Sequence, residues 1–469
     1  MSGPAVGKQT ERMKSGVLSR PDVVRLFFVL GLFCLALSCQ NADLRTSAER
    51  RLLEFLESDS AKTLLLHDHQ ELLAFLKDFP RDQYNLCSTK NGFSFFIEKE
   101  EHLDGIKQIV SAGQVWEEEF IELMAKYIRP GSAVIDAGAY IGTHTLAMAR
   151  LVGRKGRVYA FEPQKKVFRE LVFNLIENDI HNVTPLRFAL GQDNQIIEMD
   201  SPVNGLEAIV KVGKGGDQAG LRRLDSFKLR HFSFLKIDVE GYEDNVLEGA
   251  RQTIAGNRRP PILIEIMGSA NYFSGSPETR TRVDKTLHKL EDCGYAVTPL
   301  KHRDYLALPA PDYPLGLTLS FTDSGNAHQF KSGWWSSAEP WGCWTRGYTA
   351  DLVLPMLRLP KKDLLLVGQV KAYVDEKNPQ QEVEVVINDR PIDRWVFRNG
   401  EIQQKKAVIP VSLWRGIAEK PILRITFQTK NPGSPAESKS AADKRLLGLG
   451  VHKLAVRELN LVTANSLPK

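Results

Sequence analysis

A glycine-containing turn follows an apolar stretch in the middle of the chain. Residues 134–145 have the sequence VIDAGAYIGTHT, in which Asp136 ends a predicted strand and Gly138 and Gly142 stand four positions apart. Glycines here allow a ligand to approach the backbone closely, and the first turn of the helix that follows offers free N–H groups. Position 140 is tyrosine, so the GxGxxG pattern of dinucleotide-binding folds is absent and a ligand without a pyrophosphate is favoured.

A second acid ends the next predicted strand. Glu162 follows the largely apolar residues 157–161 and stands 26 positions after Asp136. A carboxylate at this place can accept hydrogen bonds from both hydroxyls of a ribose. The order acid, GxxxG, acid therefore predicts S-adenosylmethionine binding, and the predicted cofactor-binding residues are Asp136, Gly138, Tyr140, Gly142, His144 and Glu162. The alternatives are ordinary turn chemistry for the two acids and helix capping for His144.

Three further acids stand in two later segments. Asp238 and Glu240 belong to KIDVEGYE, and Glu265 belongs to ILIEI. In an extended segment the positions i and i+2 share a side, so two carboxylates there repel, and the pKa of one rises. We predict Asp238 as the base or acceptor-orienting group, Glu240 as its partner and Glu265 as a third candidate. No metal site is predicted; the alternatives are that the three acids hold a divalent cation and that Glu240 caps the helix beginning near Gly241.

These residues need a scaffold that brings strand ends together. Residues 91–310 alternate short apolar strands with amphipathic helices, which predicts an α/β fold with a Rossmann-like, doubly wound sheet. The predicted strands are 132–136, 157–161, 183–190, 232–238 and 261–266. One helix between these strands is indicated by apolar residues at positions i, i+3, i+4 and i+7, namely Phe168, Leu171, Val172 and Leu175. Segments 196–199 and 208–212 predict an added hairpin that could form a lid or substrate wall.

The C-terminal part of the chain changes character. Residues 330–469 contain strands separated by turn residues without intervening helices, which predicts an all-β sandwich domain. Its clearest strands are 363–367, 382–387 and 422–427. Four of the seven tryptophans lie between positions 334 and 344, and such a cluster either stacks on sugar rings or packs against a neighbouring surface. Because every cofactor motif precedes residue 240, cofactor binding is expected to survive deletion of residues 330–469.

The N-terminus predicts membrane targeting. Residues 26–37 are twelve uncharged, mostly apolar residues that follow five basic ones. This pattern is typical of a signal peptide, and Cys39 stands where a bacterial lipoprotein carries its lipid. The uncharged run spans residues 26–42, seventeen residues, so an uncleaved anchor is the alternative. Residues 1–42 are therefore predicted as a signal peptide or membrane anchor, and residues 43–90 as a charged helical lead-in.

Composition excludes several classes of protein. The chain has 469 residues, of which 42% are hydrophobic and 25% charged, and these values are ordinary for a globular protein. They exclude a wholly disordered chain, a collagen-like fibre and a multi-span membrane protein. The formal net charge of +5 is mild for this length, so we predict no nucleic-acid partner.

The motifs together resemble a known enzyme family. From about Trp116 to Pro309 the chain resembles the FkbM family of S-adenosylmethionine-dependent methyltransferases, over about 190 of the 469 residues. The resemblance rests on DAGAYIGTHT, FEPQ, ALG at 189–191, LDSF at 224–227, KIDVEGYE and ILIEI. The family usually has asparagine where this chain has Tyr140. The resemblance implies a class I methyltransferase fold, Ala189 as a further cofactor-binding residue, and O-methylation of hydroxyls on sugars or secondary metabolites.

The C-terminal part also resembles a known domain. Gly333-Trp334, the WGCW segment at 341–344 and RLLGLG at 445–450 are similar to an uncharacterised β-sandwich of bacterial envelope and glycan-related proteins. This resemblance implies an accessory role at the bacterial cell envelope, and the N-terminal segment predicts that the protein is membrane-associated there. The side of the membrane on which the catalytic domain lies stays open, because the methyl donor is made in the cytosol.

Two functions of different classes are compatible with these patterns. The first is an S-adenosylmethionine-dependent O-methyltransferase that acts on a small-molecule or glycan acceptor. The second is a catalytically silent methyltransferase-like domain that displays a glycan-binding sandwich. The first is favoured because a decayed site tends to lose residues that are intact here, namely Asp136, Gly138, Gly142, Glu162 and Asp238. A nicotinamide oxidoreductase is disfavoured by the absence of GxGxxG.

Overall fold

A computed structural model describes residues 80–99, 104–200, 212–213, 215–414, 421–438 and 443–459. The predicted membrane segment, Cys39 and most of the predicted lead-in lie outside the described residues. No described helix is both long enough and apolar enough to span a bilayer. The described residues all belong to one compact unit, Phe55–Lys469.

A two-stranded hairpin opens the described part. β1 (Tyr84–Ser88) pairs antiparallel with β2 (Ser94–Glu98). Here the structure differs from the predicted helical lead-in, because the backbone groups of β1 pair with those of β2. The hairpin is fastened to a later helix through Asn174 and Asn178, whose Oδ1 atoms accept hydrogen bonds of 2.8 Å from two backbone amides of β2.

Strands and helices then alternate as the sequence predicts. The elements are α1 (Gly105–Ser111), α2 (Glu118–Ala125), β3 (Ala133–Ala137), α3 (Thr143–Val152), β4 (Arg157–Phe161), α4 (Lys165–Glu177) and β5 (Val183–Leu186). The predicted apolar face of α4 is buried along its whole length, at Phe168, Leu171, Val172 and Leu175. Burial of this face holds α4 against the sheet and fixes the place of the residues that precede it.

The inserted segment forms a small separate sheet. Its strands are β6 (Phe188–Leu190), β7 (Gln195–Asp200) and β8 (Gly215–Arg222), in the order β6-β8-β7. The single strand predicted over 183–190 is divided, because β5 pairs with β4 whereas β6 leaves the main sheet and pairs with β8. The first arm of the predicted hairpin lies where expected. The second arm is β8, which begins later than predicted, and most of segment 208–212 lies outside the described residues.

The chain then completes a seven-stranded sheet. The remaining elements are β9 (Phe232–Ile237), α5 (Glu243–Gly249), α6 (Arg251–Gly256), β10 (Ile262–Glu265), α7 (Pro277–Asp292), β11 (Tyr295–Pro299) and β12 (Asp304–Pro309). The strand order is β11-β12-β10-β9-β3-β4-β5, and β12 is antiparallel to both of its neighbours. From β3 the chain proceeds outward to β4 and β5 and then returns to β9 on the other side of β3. Open α/β sheets bind ligands where the order reverses in this way, at the carboxyl ends of the strands.

The C-terminal part is a β-sandwich. Its strands are β13 (Thr318–Ser320), β14 (Lys331–Ser332), β15 (Cys343–Arg346), β16 (Thr349–Pro355), β17 (Leu364–Ala372), β18 (Gln381–Ile387), β19 (Arg390–Phe397), β20 (Gln403–Ile409), β21 (Ile422–Thr429) and β22 (Leu447–Glu458). One antiparallel sheet has the order β13-β22-β17-β20, with β15 also on β22, and the other has the order β14-β16-β21-β18-β19. The two sheets enclose one apolar core, to which Leu366, Val383 and Phe427 contribute fully buried side chains.

The tryptophan cluster divides between two surroundings. Trp334 stacks on Tyr272 with ring centroids 4.4 Å apart and also contacts Phe273 edge-on at 4.7 Å. These two partners belong to the α/β part, so Trp334 packs the sandwich against it. Trp341 and Trp344 contact each other within the sandwich, with the Lys371 Nζ 3.5 Å from the Trp341 ring centroid.

Candidate active site

A cavity of about 460 Å³ lies at the carboxyl ends of β3, β4, β9 and β10. Its volume is typical of small-molecule sites. The cavity brings together seven of the ten predicted site residues, namely Gly138, Tyr140, Glu162, Ala189, Asp238, Glu240 and Glu265. The other three predicted residues are not on the cavity wall: Asp136, Gly142 and His144.

Position 138 must be glycine because a neighbouring segment of the chain packs directly against its backbone. Its φ is +85°, and a Cβ atom at this position would lie 1.7 Å from the carbonyl oxygen of Asp238. The amide of Asp238 in turn donates to the carbonyl oxygen of Ala137 at 2.9 Å. The glycine therefore lets the segment after β9 lie directly against the turn after β3, which sets the distance between the predicted cofactor and catalytic residues.

Gly138→Ala is expected to destabilise the protein by about 2–5 kcal/mol, because it combines backbone strain with a clash against a main-chain atom. Gly131→Ala is the matched control, since Gly131 has φ +79° but a Cβ added there would meet no atom within 4 Å. Thermal and denaturant unfolding of both variants measure the difference. Equal losses in the two variants would contradict the steric role of Gly138.

Glu162 is buried and its carboxylate is held by two backbone amides. Its Oε2 accepts from the Tyr140 amide at 2.9 Å, and its Oε1 accepts from the Gln164 amide at 3.0 Å. Burial raises the pKa of Glu162 to about 7, although these two hydrogen bonds oppose the shift. Tyr140 has φ +48°, and its hydroxyl donates to Asp104. The turn after β3 thus orients the acid that ends β4 and leaves its remaining lone pairs for a ligand.

Asp136 lies behind the cavity wall. Its Oδ2 accepts a 2.6 Å hydrogen bond from the Thr145 hydroxyl, and the ammonium group of Lys236 lies 3.9 Å from its Oδ1. Burial raises the pKa of Asp136 despite the nearby lysine. Asp136 therefore joins β3 to α3 and acts on the cavity through Lys236.

His144 and Gly142 support the same turn. His144 is buried in the first turn of α3, and its Nε2 lies 3.5 Å from a carboxylate oxygen of Glu117. Burial lowers the pKa of His144 to about 3, so the imidazole is neutral at physiological pH. Gly142 has φ +96°, and a Cβ there would lie 2.7 Å from Cδ1 of Leu171. Both residues shape the helix start, and neither reaches the cavity.

Lys236, Asp238 and Glu265 form a charged group at the ends of β9 and β10. Lys236 donates to Asp238 Oδ2 at 3.0 Å. Burial opposes ionisation of Asp238, but the Lys236 charge and a hydrogen bond with Glu265 bring its pKa below the usual value. Burial, together with the charge of Asp238 and that hydrogen bond, raises the pKa of Glu265. These opposite shifts favour the ionised form of Asp238 and the protonated form of Glu265.

Glu240 lies close to this charged group, but its backbone conformation differs from the predicted extended one. The strand ends at Ile237 and Glu240 has φ +51°, so Asp238 and Glu240 do not lie on one extended segment. Carboxylate oxygens of Asp238, Glu240 and Glu265 nevertheless lie within 4.8 Å of one another. The helix α5 begins at Glu243 with Tyr242 at the N-cap position, so Glu240 is not its N-cap residue.

The three acids could offer oxygen ligands to a cation, but a guanidinium competes for one of them. An Nη atom of Arg303 lies 2.6 Å from Glu265 Oε1. This positive charge makes the position of a divalent cation less favourable.

Several residues of the cavity were not found from the sequence. They are Trp116 and Glu117 before α2, His302 and Asp304 near β12, and an apolar group formed by Phe188, Leu190, Met199 and Val212. The apolar group comes from β6 and the β7–β8 segment, so the predicted hairpin does form part of the wall. Glu117 and His302 both have a positive φ, of 47° and 53°. This backbone conformation is seen only in the structure and could not be inferred from the sequence.

The cavity is strongly acidic. Six acids and one arginine line it, and the acids are Glu117, Glu162, Asp238, Glu240, Glu265 and Asp304. The pKa of Glu117 and that of Asp304 are both raised to about 7, mainly because the two side chains are largely buried. Such a wall suits a ligand with positive charge, because a bound cation would relieve the repulsion among the carboxylates.

The free protein is expected to be less stable at pH 8 than at pH 5.5. Glu117, Glu162 and Asp304 titrate near 7 when folded but near 4 when unfolded. Between these values the folded state binds more protons, so the free energy of unfolding falls as the pH rises. Thermal unfolding at constant ionic strength measures this, and Glu162→Gln should reduce the slope. A melting temperature that rises across this range would contradict the prediction.

These features fit S-adenosylmethionine. Glu162 offers an oriented carboxylate for two ribose hydroxyls, and the apolar group offers a surface for an adenine ring. The acids near Asp238 suit the sulfonium charge of the methyl donor.

Comparison with protein families identifies this part of the chain. The model of the methyltransferase FkbM domain matches residues 136–297, and that of protein-L-isoaspartate(D-aspartate) O-methyltransferase matches residues 55–207. No curated protein matches the chain.

Three solved structures that are similar to this chain share 12–17% sequence identity with it. The methyltransferase FkbM from Methylobacillus flagellatus KT is 17% identical, with 54% of this chain and 61% of that chain covered and a TM-score of 0.27. A putative rRNA-methylase from Clostridium thermocellum is 15% identical, with coverage of 40% and 92% and a TM-score of 0.29. Aeropyrum pernix fibrillarin in complex with S-adenosyl-L-methionine is 12% identical, with coverage of 48% and 93% and a TM-score of 0.26.

The family assignment rests on the match of residues 136–297, which contain both the glycine turn and the three acids. The strand order of the main sheet agrees with it. The predictions of the family, the fold class and the cofactor are thereby confirmed. Residues 136–297 form a methyltransferase FkbM domain, an S-adenosylmethionine-dependent methyltransferase of the class I fold.

Proposed function

We propose that the chain transfers the methyl group of S-adenosylmethionine to a hydroxyl oxygen of a glycan, glycolipid or related metabolite. The observation that carries this proposal is the group formed by Lys236, Asp238 and Glu265 in the same cavity as Glu162. A hydroxyl must lose a proton when its oxygen is methylated, so a positioned base is useful. An ionised carboxylate beside the cofactor cavity meets this need.

The proton is accepted by Asp238. S-adenosylmethionine, when bound, supplies a methyl group on positively charged sulfur. With the donor held at Glu162, its methyl group would pass to the hydroxyl oxygen, the electron pair of the broken carbon–sulfur bond would stay on sulfur, and Asp238 would take the hydroxyl proton. The acidity of the hydroxyl rises as its oxygen forms the new bond, so a carboxylate of low pKa suffices late in the step.

Neighbouring groups keep Asp238 ready for this role. Lys236 holds Oδ2 at 3.0 Å, which fixes the carboxylate and keeps it ionised. The raised pKa of Glu265 favours the protonated form, which donates a hydrogen bond to Asp238, and Arg303 lies 2.6 Å from Oε1 of Glu265. Glu240 lies beside the pair as a further acceptor of the substrate hydroxyl. Alignment of the two reacting atoms contributes as much as the base.

The acceptor is proposed to be a sugar-like hydroxyl compound rather than a nucleic acid. Six acids line the cavity, and they would repel a phosphodiester backbone at the reaction centre. Hydroxyl groups, by contrast, donate readily to carboxylates. The proposed location is the membrane of the bacterial envelope, which the apolar N-terminal segment at 26–37 supports. The sandwich is proposed as an accessory domain.

Binding of S-adenosylmethionine separates this proposal from a silent display domain. Titration calorimetry on the full chain in detergent should detect binding, and Glu162→Gln should weaken it about 10- to 100-fold, because two hydrogen bonds to a charged acceptor become weaker. Affinity in the parent protein should also rise as Glu162 ionises near pH 7. Glu177→Gln on the far end of α4 is the matched control. Absence of binding to the folded parent chain would favour the silent domain.

A further inference from the structure

A second cavity lies on the opposite side of the main sheet, at the amino ends of its central strands. It measures about 1080 Å³ and is formed where β3, β9 and β10 begin, away from the methyltransfer cavity at the ends of the same strands. Its charged lining is basic, with one acid, Asp225, against five cationic side chains, Arg129, Lys228, Arg230, Arg258 and Arg259. The two edges of one sheet thus carry cavities of opposite charge. We call the second cavity the basic groove.

Four of the five cations have no side-chain partner among the described residues. Arg129, Lys228, Arg230 and Arg258 are exposed, and in the part of the chain that the structure describes their side chains form no ion pair and no hydrogen bond. The single acid is already occupied, because Asp225 Oδ1 accepts from the Thr253 amide at 2.8 Å. Like charges brought together without counter-charges repel, so an anion would be stabilised here.

The loops of the basic groove are held in place by side chains. Asn257 donates to the carbonyl oxygen of Leu229 at 3.1 Å and accepts from the Phe232 amide at 3.3 Å. It therefore joins the loop before β10 to the loop before β9. Arg259 donates to the carbonyl oxygen of Gly294 at 2.9 Å, which fixes its guanidinium. These bonds hold the backbone of both loops and the guanidinium of Arg259, and the four exposed cations extend from this fixed backbone.

Backbone strain distinguishes the two cavities from the rest of the described chain. Eleven described non-glycine residues have positive φ, and three of them are Asn or Asp, which tolerate this conformation. The other eight all line one of the two cavities: Glu117, Tyr140, Glu240 and His302 in the methyltransfer cavity, and Lys228, His231, Arg258 and Arg259 in the basic groove. Such strain gathers at binding and catalytic sites. The basic groove shares this property with a site whose function is assigned.

We propose that the basic groove binds a phosphate group of a phosphoester ligand. Arginine is suited to phosphate because its guanidinium donates two parallel hydrogen bonds, and four of the five cations are arginines. The ligand is a soluble phosphoester or the headgroup of an anionic lipid, which present the same chemistry. Because the groove is at the other edge of the sheet, this site is distinct from the methyltransfer cavity and does not depend on the proposed acceptor.

A nucleic acid fits the groove less well. Single-stranded nucleic acids bind on exposed aromatic rings that stack with bases, and Phe232, the one phenylalanine among the described lining residues, is buried. The groove therefore offers charge for a phosphate, whereas the imidazole of His231 is the one exposed aromatic ring among its described lining residues.

Titration of the full chain in detergent tests the proposal. The probes are inorganic phosphate, glycerol 3-phosphate, and mixed micelles with phosphatidylglycerol or phosphatidylcholine, all at one ionic strength. We expect saturable binding of a phosphate probe that Arg230→Glu combined with Arg258→Glu weakens at least tenfold. Tighter binding to phosphatidylglycerol micelles than to glycerol 3-phosphate identifies a lipid, whereas equal or weaker binding identifies a soluble phosphoester.

Controls keep the result specific to the basic groove. Lys361→Glu combined with Lys362→Glu makes the same charge change on an exposed loop of the sandwich and should alter binding less than twofold. Affinity for S-adenosylmethionine should be unchanged in both double variants, which shows that each is folded, and Lys228→Glu serves as a second groove variant. The proposal is overturned by an absence of saturable binding or by equal losses in groove and control variants. Tighter binding of a single-stranded RNA that the groove variant abolishes would also overturn it, in favour of a nucleic-acid site.

Discussion

Asp238→Asn is expected to lower kcat about 10²- to 10⁴-fold while S-adenosylmethionine still binds. The change keeps the shape of the side chain but removes the negative charge that accepts the proton, and general-base catalysis is worth about this much. The buried ammonium of Lys236, 3.0 Å away, would also lose its nearest counter-charge. Turnover measured with an acceptor, together with calorimetric titration of the cofactor, separates loss of chemistry from loss of binding.

Asp244→Asn is the matched control for this prediction. Asp244 lies on α5 and pairs with Lys285 at 2.8 Å, outside the methyltransfer cavity. It should keep near-normal turnover. If Asp238→Asn were active and Glu265→Gln inactive, Glu265 would be the base. Loss of parent activity on adding a chelator would instead assign the three acids to a divalent cation.

The strand-end acids were predictable because parallel strands end at one edge of a sheet. Glu162, Asp238 and Glu265 each follow an apolar strand in the sequence, so their convergence requires only that the strands be neighbours. The alternation of strands and helices predicts one parallel sheet, and the structure gives the order of its strands. The acidic side of the site is therefore encoded in the local sequence of each strand.

The residues that the sequence did not reveal depend on packing between distant segments. Glu117 precedes α2 and Asp304 begins β12, and neither belongs to a strand end of the parallel sheet. Their place at the cavity follows from how α2 and β12 pack. Asp136 was predicted at the cofactor, yet the turn after β3 directs it to Thr145 and Lys236 instead. The left-handed backbone conformation of Glu240 likewise could not be predicted, because glutamate rarely adopts it.

The relation between the two parts of the chain was also hidden in the sequence. Tyr272 and Phe273 look like ordinary apolar residues between β10 and α7, and nothing nearby in the sequence indicates that their partner is Trp334. Motif positions alone suggested that cofactor binding needs only residues before 240. The contacts of the sandwich with α7 and β11 lead to a different expectation.

Deleting residues 330–469 is expected to abolish stable folding of the methyltransferase domain. The Gly333 amide donates to the Val297 carbonyl oxygen at 2.9 Å, and the Ser332 hydroxyl donates to Glu291 at 2.6 Å. The end of β14 and the residue after it therefore add bonds to β11 and α7. Arg424 of β21 is also buried at this junction, with its Nε 3.3 Å from Asp292. The truncated chain would expose the apolar surface around Tyr272 to water. Soluble yield, thermal unfolding and cofactor titration measure the loss.

A single substitution at the junction tests the same idea without removing a domain. Trp334→Ala should cost about 3 kcal/mol, because it removes a large ring packed against Tyr272 and Phe273. Trp344→Ala is the control, since Trp344 contacts Trp341 within the sandwich and should leave cofactor affinity unchanged. A truncated chain that unfolds cooperatively and binds S-adenosylmethionine like the parent would restore the view of two independent domains. Loss of binding on truncation, with Trp334→Ala less stable than the parent, makes the sandwich a structural part of the methyltransferase.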